Sequence, residues 1–302
     1  MFYGNYLYHN TLYTQPTKEN GCMKAWELHK HMQKVGKWVN WENTVDQFLF
    51  GNKDLEVKGI AVSWMPTFAN LEKALNFGCN MFVTHEPLCA VTVDDEGKIV
   101  GGTPFVDNHL KRLKGMTIKE DDVWIRKHKW LKEKGFTVYR CHDFWDDFPD
   151  TGIHGAWAKW LGFSGKPVAS KMFYEVHNVG NITVDELTRK ILERVRPLGQ
   201  DVVHVIGDKK KIVSRIAVGT GAITNYREMY NLRADVLLVT DDGTELWESG
   251  QWSHDSGVPI IVVNHATSEE PGMKMLAHYI QKQFPEVPVK HIMTGCIYRT
   301  VK

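Results

Sequence analysis

Apolar residues along this chain occur in short runs that alternate with segments of helical spacing. Residues 57–64 (VKGIAVSW) and 80–84 (NMFVT) have the composition of buried strands. A helix is predicted between them, opened by Pro66 and Thr67 and closed by Gly78. A strand, a helix and a second strand in this order form a βαβ unit with parallel strands. The pattern therefore predicts an α/β fold.

The same alternation continues to the end of the chain. A further helix is predicted after Thr183, which is a plausible N-cap with Glu186 completing a capping box. The other predicted helices cover 23–35, 121–134, 153–161 and 268–283, and the other predicted strands cover 136–141, 201–206, 212–218, 235–240, 259–263 and 288–293. We therefore expect two α/β halves with mostly parallel sheets.

A shift to Gly, Ser, Lys and Pro over 163–180 indicates the boundary between the halves, which we place at 23–164 and 165–302. Residues 1–22 lack the basic start, apolar segment and cleavage site of a signal peptide. We expect either that they are a leader ahead of a natural start at Met23, or that they form a mobile arm. A short ordered strand packed on a partner is the alternative.

Composition narrows the possible functions. The chain has 302 residues, with 37 Lys and Arg against 36 Asp and Glu, so its net charge of +1 gives no general attraction to nucleic acid or membrane. No apolar run is long enough to span a bilayer. Five cysteines without a C-x-x-C pair argue against a disulfide framework or a zinc ribbon and favour the reducing cytoplasm.

Three segments combine a histidine with carboxylates directly after a predicted strand. Such side chains can converge, because ligands of open α/β sheets bind beyond the carboxyl ends of strands. The candidates are His85 and Glu86 in THEPL, His142, Asp143, Asp146 and Asp147 in CHDFWDD, and His265 and Glu269 in NHATSEEPG. Clustered carboxylates repel one another unless a cation neutralises them. Mixed nitrogen and oxygen donors suit Zn, Mn, Fe, Co or Ni better than calcium.

Each of these residues also has an ordinary structural interpretation. A histidine at a strand end is usually a surface or hydrogen-bonded residue, and Thr267 or Ser268 is expected to cap the last helix, with Glu269 in its first turn. Two other motifs are weaker. V-G-T-G-A at 218–222 is more typical of a strand-to-helix turn than of a nucleotide site, and the basic stretch 111–134 is more typical of a solvated helix than of a nucleic-acid contact.

From about residue 23 to the C-terminus, the sequence resembles the NGG-one-interacting factor three-like family, also called the dinuclear metal-centre or GTP cyclohydrolase type 2-like family. The resemblance rests on four ordered motifs: W-E-N-T-V-D at 41–46, A-L-N-F-G-C-N-M-F-V-T-H-E-P-L at 74–88, H-D-F-W-D at 142–146, and A-D-V-L-L-V-T-D-D at 234–242 followed by N-H-A-T-S-E-E-P-G at 264–272.

The resemblance implies two intertwined α/β/α halves, with a site for two divalent metal ions at the strand ends between them. It places the ligands at His85, Glu86, Asp146, His265 and Glu269, with Glu269 as the bridge. His142 matches a family histidine beside the site, which would either serve as a proton shuttle or orient a metal ligand. In a hydrolase, His142 or Glu86 would manage protons. It further implies a homo-oligomer, a hexamer built as a trimer of dimers, with a small-molecule substrate.

The function implied is a metal-dependent hydrolase, GTP cyclohydrolase-like at most, acting on a nucleotide-like or phosphoester molecule through activated water. A non-catalytic oligomeric metal-binding adaptor is the alternative. One departure from the family stands out, because Glu86 occupies the position of a usual second histidine. Glutamate favours Mn, Fe or Mg over Zn there. A second departure, TDDGTELW at 240–247, alters the expected pocket rim.

Overall fold

The computed structural model describes residues 22–89, 91–93, 99–102, 122–163, 165–222 and 224–301. The predicted arm up to residue 21, and Lys111, Arg112 and Lys114 of the basic stretch, lie outside the described residues. The described part confirms the α/β class, with two large sheets and helices on both faces of each. No helix in these ranges is long and apolar enough to cross a membrane.

The first sheet has five strands in the order β1-β6-β3-β2-β13. Their bounds are β1 Phe48–Phe50, β2 Ile60–Ser63, β3 Met81–Thr84, β6 Thr137–Arg140 and β13 Val289–His291. Only β1 runs antiparallel to its neighbour, so the prediction of parallel strands is right for this sheet. A separate antiparallel pair joins β4 (Val91–Val93) and β5 (Ile99–Gly102).

Alternate residues of the first sheet face two different cores. Val62 and Val83 pack with helix α1 (Ala25–Val35), whereas Ala61 and Phe82 pack with α2 (Phe68–Asn76) and α3 (Asp122–Lys134). This arrangement follows from the strand repeat of two, which sends neighbouring side chains to opposite faces. Strands that are apolar on both faces are the ones that the sequence identifies most easily.

The second sheet has six strands in the order β7-β8-β10-β11-β12-β9. Their bounds are β7 Ala169–Lys171, β8 Tyr174–Thr183, β9 His204–Ile206, β10 Ile212–Val218, β11 Val236–Thr240 and β12 Ile260–Val263. Strands β10, β11 and β12 run parallel to one another, whereas β7, β8 and β9 form antiparallel pairs. The expectation of mostly parallel sheets therefore does not hold for this sheet. The outer strands are partly exposed and lack the apolar runs that buried parallel strands need.

Helices cover both faces of this sheet, and the last of them joins it to the first. The helices are α4 (Asp143–Asp146), α5 (Ile153–Leu161), α6 (Val184–Val195), α7 (Tyr226–Asn231), α8 (Gln251–Ser256) and α9 (His265–Gln283). Helix α6 begins at the predicted Thr183–Glu186 capping box. Helix α9 follows β12 and leads into β13 of the first sheet, so the chain crosses between the halves.

The contact between α5 and α9 requires a glycine. A Cβ atom on Gly272 of α9 would lie 2.6 Å from Cδ1 of Ile153 in α5, which is too close for any side chain. The carbonyl of Gly272 also accepts a hydrogen bond from Nε1 of Trp145 at 2.8 Å. This close approach brings the start of α9 next to the strand ends of the first sheet.

Candidate metal centre

His85 and Glu86 follow β3 directly, as predicted. The His85 side chain is 1% exposed, and its Nδ1 lies 3.2 Å from the carbonyl of Cys141. The backbone carbonyl of His85 accepts a bond from Nε of Arg140 at 2.8 Å. These contacts leave Nε2 as the nitrogen that faces the other candidate residues. Backbone anchoring of one imidazole nitrogen is typical of histidines that bind metal through the other.

His142 and Asp146 lie at the two ends of the short helix α4, after β6. The buried carboxylate of Asp46 accepts hydrogen bonds from the backbone nitrogens of His142 and Phe144, the latter at 2.7 Å. Asp143 accepts a bond from Oγ1 of Thr44 at 2.7 Å. Segment 44–46 therefore holds the start of α4 in place, and the ring of His142 stacks on His85 with centroids 4.3 Å apart.

His265 and Glu269 lie one turn apart at the start of α9. This helix begins at His265 with Asn264 as its N-cap, so the prediction that Thr267 or Ser268 caps it is wrong. The carboxylate of Asp241 accepts a bond from the backbone nitrogen of His265 at 2.9 Å. Because this acid satisfies a first-turn N–H group, the helix can begin three residues earlier than its polar sequence suggests.

Glu269 connects the two groups of histidines. Its Oε2 lies 3.2 Å from Nε2 of His85, and its Oε1 lies 3.0 Å from Nε2 of His265. Nε1 of Trp64 donates a hydrogen bond to Oε2 at 2.7 Å. Each carboxylate oxygen is thus directed to a different imidazole. We call the group around His85 the inner side of the site and the group around His265 the outer side.

The remaining predicted residues surround these two sides. On the inner side, Oδ1 of Asp146 lies 3.5 Å from Nε2 of His85, and Oδ2 lies 3.2 Å from Nδ1 of His142. On the outer side, Oε1 of Glu86 lies 4.0 Å from Nε2 of His265. The structure therefore brings together all six residues that the sequence singled out as ligands or proton carriers.

Glu86 is also close to a cation. Its Oε2 lies 3.6 Å from a guanidinium nitrogen of Arg140, and both side chains are largely buried. The arginine sits at the end of β6, beside the strand that carries Glu86. Arg140 therefore balances part of the negative charge of Glu86, the carboxylate that stands where the family usually has a histidine.

Burial and charge shift the protonation of the site strongly. Burial raises the pKa of Asp146 well above its usual range. Burial works against the charged form of His265, but Glu269 and Asp242 outweigh it and raise its pKa to about 11. Burial also disfavours the charged form of Glu269, yet the two histidines hold its pKa well below normal. Such displaced values are typical of functional sites.

The donor set fits a divalent metal ion. Ligand atoms of His85, His142 and Asp146 lie within 4.8 Å of one another, and so do those of His85, Glu86 and Glu269. Imidazole nitrogens and carboxylate oxygens are ligands for Zn, Mn, Fe, Co and Ni. Such a cation would stabilise the three largely buried carboxylates of Glu86, Asp146 and Glu269 by taking the place of the protons that the imidazoles otherwise hold. The first group includes His142, which the resemblance places beside the metal ligands.

Four supporting residues were not identified as site residues from the sequence. They are Trp64, Asp242, Thr220 and Gly221, and they contact Glu269 or His265. Oδ2 of Asp242 lies 2.7 Å from Nδ1 of His265. A Cβ on Gly221, whose φ is +77°, would lie 3.4 Å from Oε1 of Glu269. Thr220 and Gly221 belong to the V-G-T-G-A motif at 218–222. A binding role for this glycine-containing motif is the prediction that would have identified them.

The profile of the family Duf34/NIF3 (NGG1p interacting factor 3) matches residues 109–297, which is more than half of the chain. The chain belongs to this family. The assignment agrees with the resemblance seen in the four motifs, and it covers the segments that carry His142, Asp146, His265 and Glu269. A search of the curated proteins found no significant match.

Solved structures from several organisms share the fold of this family member. The crystal structure of the Staphylococcus aureus hypothetical protein SA1388 is 16% identical and has a TM-score of 0.69, covering 93% of this chain and all of its own. A Bacillus cereus protein related to NIF3 is 10% identical with a TM-score of 0.66, covering 93% and 98%. Reduced HcgD from Methanocaldococcus jannaschii is 19% identical with a TM-score of 0.62, covering 89% and 97%. At these identities the likeness concerns the fold alone.

Proposed function

We propose that this protein is a metal-dependent hydrolase with a dinuclear centre, acting on a nucleotide-like or phosphoester small molecule. The observation that supports it most is the position of Glu269, whose two oxygens each approach a different histidine. A bridging carboxylate of this kind would hold two ions close together. The inner ion would take His85 and Asp146, and the outer ion would take His265 and Glu86, with Glu269 shared between them.

A divalent ion bound here would supply Lewis acidity, which lowers the pKa of water and stabilises negative charge on a substrate. The protein's own residues do the rest. Trp64 orients Glu269 through its indole N–H group, and Asp242 orients His265. His142 contacts Asp143 and Asp146 through Nδ1 and is part-exposed, so it can exchange a proton with a substrate. Glu86, beside Arg140, is a second candidate proton carrier.

The test is a survey of hydrolysis with defined metals. The purified protein is stripped with EDTA, reloaded with Mn, Fe, Co, Zn or Mg, and assayed on nucleotides and phosphoesters. We expect metal-dependent turnover that Glu269→Gln abolishes. The matched control is Glu193→Gln, an exposed glutamate of α6. Absence of turnover with every metal and substrate would contradict the hydrolase proposal.

The second candidate function is a non-catalytic oligomeric metal-binding adaptor or regulatory protein. Two large apolar side chains that follow β11 are exposed, Leu246 at 78% and Trp247 at 79%, and such side chains are typical of surfaces that other chains cover. We propose a homo-hexamer, as the family resemblance implies. The adaptor alternative predicts that EDTA breaks up the oligomer in analytical ultracentrifugation while no substrate is ever turned over.

We also propose a cytoplasmic location. All five cysteines are free thiols, and four of them are buried. Free thiols are expected in a reducing compartment. Localisation of a tagged full-length chain by microscopy or fractionation tests this, and recovery in an oxidising compartment would contradict it.

A further inference from the structure

A cavity of 490 Å³ opens beside the inner side of the metal centre. We call it the chamber. It is bounded by the α4–α5 region and by the segment that leads into β8, so both halves of the protein contribute to it. Asp146 belongs both to the chamber wall and to the metal centre. The main lining residues used below are Asp146, His154, Lys159, Lys166, Met172 and Glu175.

His154 is the unusual residue of this wall. Both of its ring nitrogens are buried, and neither has a hydrogen-bond partner among the described residues. Burial lowers the pKa of His154 to about 4, so the ring is neutral near pH 7 and offers one donor and one acceptor. Buried polar atoms are nearly always paired in folded proteins. The ring packs against Phe173 with centroids 5.0 Å apart, and turning one of its nitrogens toward the chamber would break no hydrogen bond.

Acidic residues outnumber basic ones in the wall of the chamber. Asp146 and Glu175 are part-buried, whereas the acids Asp147 and Asp150 and the cations Lys159 and Lys166 are exposed. Nζ of Lys159 already donates to the carbonyl of Asp150 at 2.5 Å. Oε2 of Glu175 lies 3.0 Å from Nε2 of His177, so its Oε1 is the oxygen that a ligand N–H group would meet. A phosphate or carboxylate ligand would be repelled by this carboxylate and by the acids Asp147 and Asp150.

The backbone of the rim is unusual too. Among the described residues, three that are not glycine have a positive φ, and two of these, Asp150 and Met172, line the chamber. Met172 has a φ of +48° and is 76% exposed, so no burial of its side chain compensates for this conformation. Residues held in sparsely populated backbone regions cluster at ligand sites.

We propose that the chamber binds the organic part of the substrate, and that this part is an uncharged group carrying both N–H and C=O, such as a cyclic amide. His154 contacts the ligand, and Glu175 accepts its N–H group. The role of this ligand as a substrate rests on the proposed function. Of the two substrate classes proposed above, the chamber favours a nucleotide-like molecule with an amide-bearing ring over a simple phosphoester. Binding itself requires only the chamber.

The test is a titration followed through the imidazole nitrogens. Protein labelled with ¹⁵N, either loaded with Zn²⁺ or treated with EDTA, is titrated with hydantoin as an uncharged cyclic amide and with methyl phosphate as an anion. We expect hydantoin to shift the ring resonances of His154 in a saturable way in both samples, and methyl phosphate to leave them unchanged. The resonances are assigned with His154→Gln.

Two variants and one control make the titration specific. Glu175→Gln keeps the shape but removes the charged acceptor, and we expect it to weaken hydantoin binding about tenfold. His154→Phe fills the space beside the ring and should abolish binding, while His254→Phe, on the exposed face of α8, should not change it. If His154→Phe does not fold, Glu175→Gln and His154→Gln carry the test.

Three results would overturn the proposal: methyl phosphate shifts His154 and hydantoin does not, neither probe reaches His154, or hydantoin binding is unaffected by the chamber variants. The outcome is separable from that of the proposed function. Hydantoin bound at His154 without any hydrolysis would leave the chamber standing and remove the hydrolase. Metal-dependent hydrolysis of phosphoesters, with methyl phosphate bound at His154, would do the reverse.

Discussion

The two sides of the metal centre are held in different ways. On the inner side, His85 is almost fully buried and its second nitrogen faces a backbone carbonyl. On the outer side, His265 starts a helix and its second nitrogen faces Asp242, whose side chain is 50% exposed. On the inner side His85 is therefore held within the protein core, whereas on the outer side His265 is held by a charge at the surface. Changes on the inner side should affect folding and metal binding together, whereas changes on the outer side should affect metal binding alone.

The largest effect is expected from the residue that the two sides share. Glu269→Gln removes the charge that faces both histidines, so we expect metal affinity on both sides to fall by more than about 100-fold. Isothermal titration calorimetry with Mn²⁺ or Zn²⁺ measures it, with Glu193→Gln as the control. Loss on one side only would show that Glu269 does not connect the two.

The next effect tests the coupling of the inner side to the core. Asp46→Ala removes the carboxylate that binds the backbone nitrogens of His142 and Phe144. We expect the free energy of unfolding to fall by about 2–3 kcal/mol and inner-side metal affinity to fall about tenfold or more. Urea denaturation and calorimetry measure the two. Weaker metal binding at an unchanged free energy of unfolding would contradict the proposed coupling between the inner side and the protein core.

His142 and His154 provide a second contrast, between a partnered and an unpartnered imidazole. The folded pKa of His154, about 4, is below its ordinary value of 6.5, so the unfolded chain binds its proton first as the pH falls. The stability that neutral His154 contributes above pH 6.5 is therefore lost as the pH falls toward 4. The free energy of unfolding should decrease by about 1–2 kcal/mol between pH 7 and pH 5 for this reason. In metal-free protein, His154→Gln should lack this component in urea denaturation at the two pH values. An equal pH dependence in both proteins would contradict the assignment.

The smallest effect is expected on the outer side. Asp242→Asn keeps a hydrogen-bonding oxygen near Nδ1 of His265 but removes the charge. We expect outer-side metal affinity to change by about tenfold or less, with inner-side affinity and the urea midpoint unchanged. A matched control is Asp255→Asn, an exposed acid of α8. A large loss of stability in Asp242→Asn would show that the outer side also belongs to the core.

The strands and histidines whose positions depend on local sequence pattern are the ones that the sequence predicts. The buried parallel strands are apolar on both faces, and the strand-end histidines follow them directly, so both could be read from the chain. Strand β8 could not, because its exposed residues break the apolar run. The early start of α9 depends on Asp241, which comes from another strand. Trp64 and Asp46 support the site across more than 90 positions of sequence, and no spacing rule reveals such contacts.

In the proposed metal centre, Glu269 bridges two metal-binding sides. The most direct test is the number and identity of metal ions per chain, measured by elemental analysis on the purified protein and on Glu86→His. Two divalent ions per chain in the wild-type protein is the predicted result, with Glu86→His retaining two and shifting the preference toward zinc. A single ion in the wild type that rises to two in Glu86→His would contradict Glu86 as a working ligand. If neither protein contains a bound divalent metal, the proposed metal centre is contradicted.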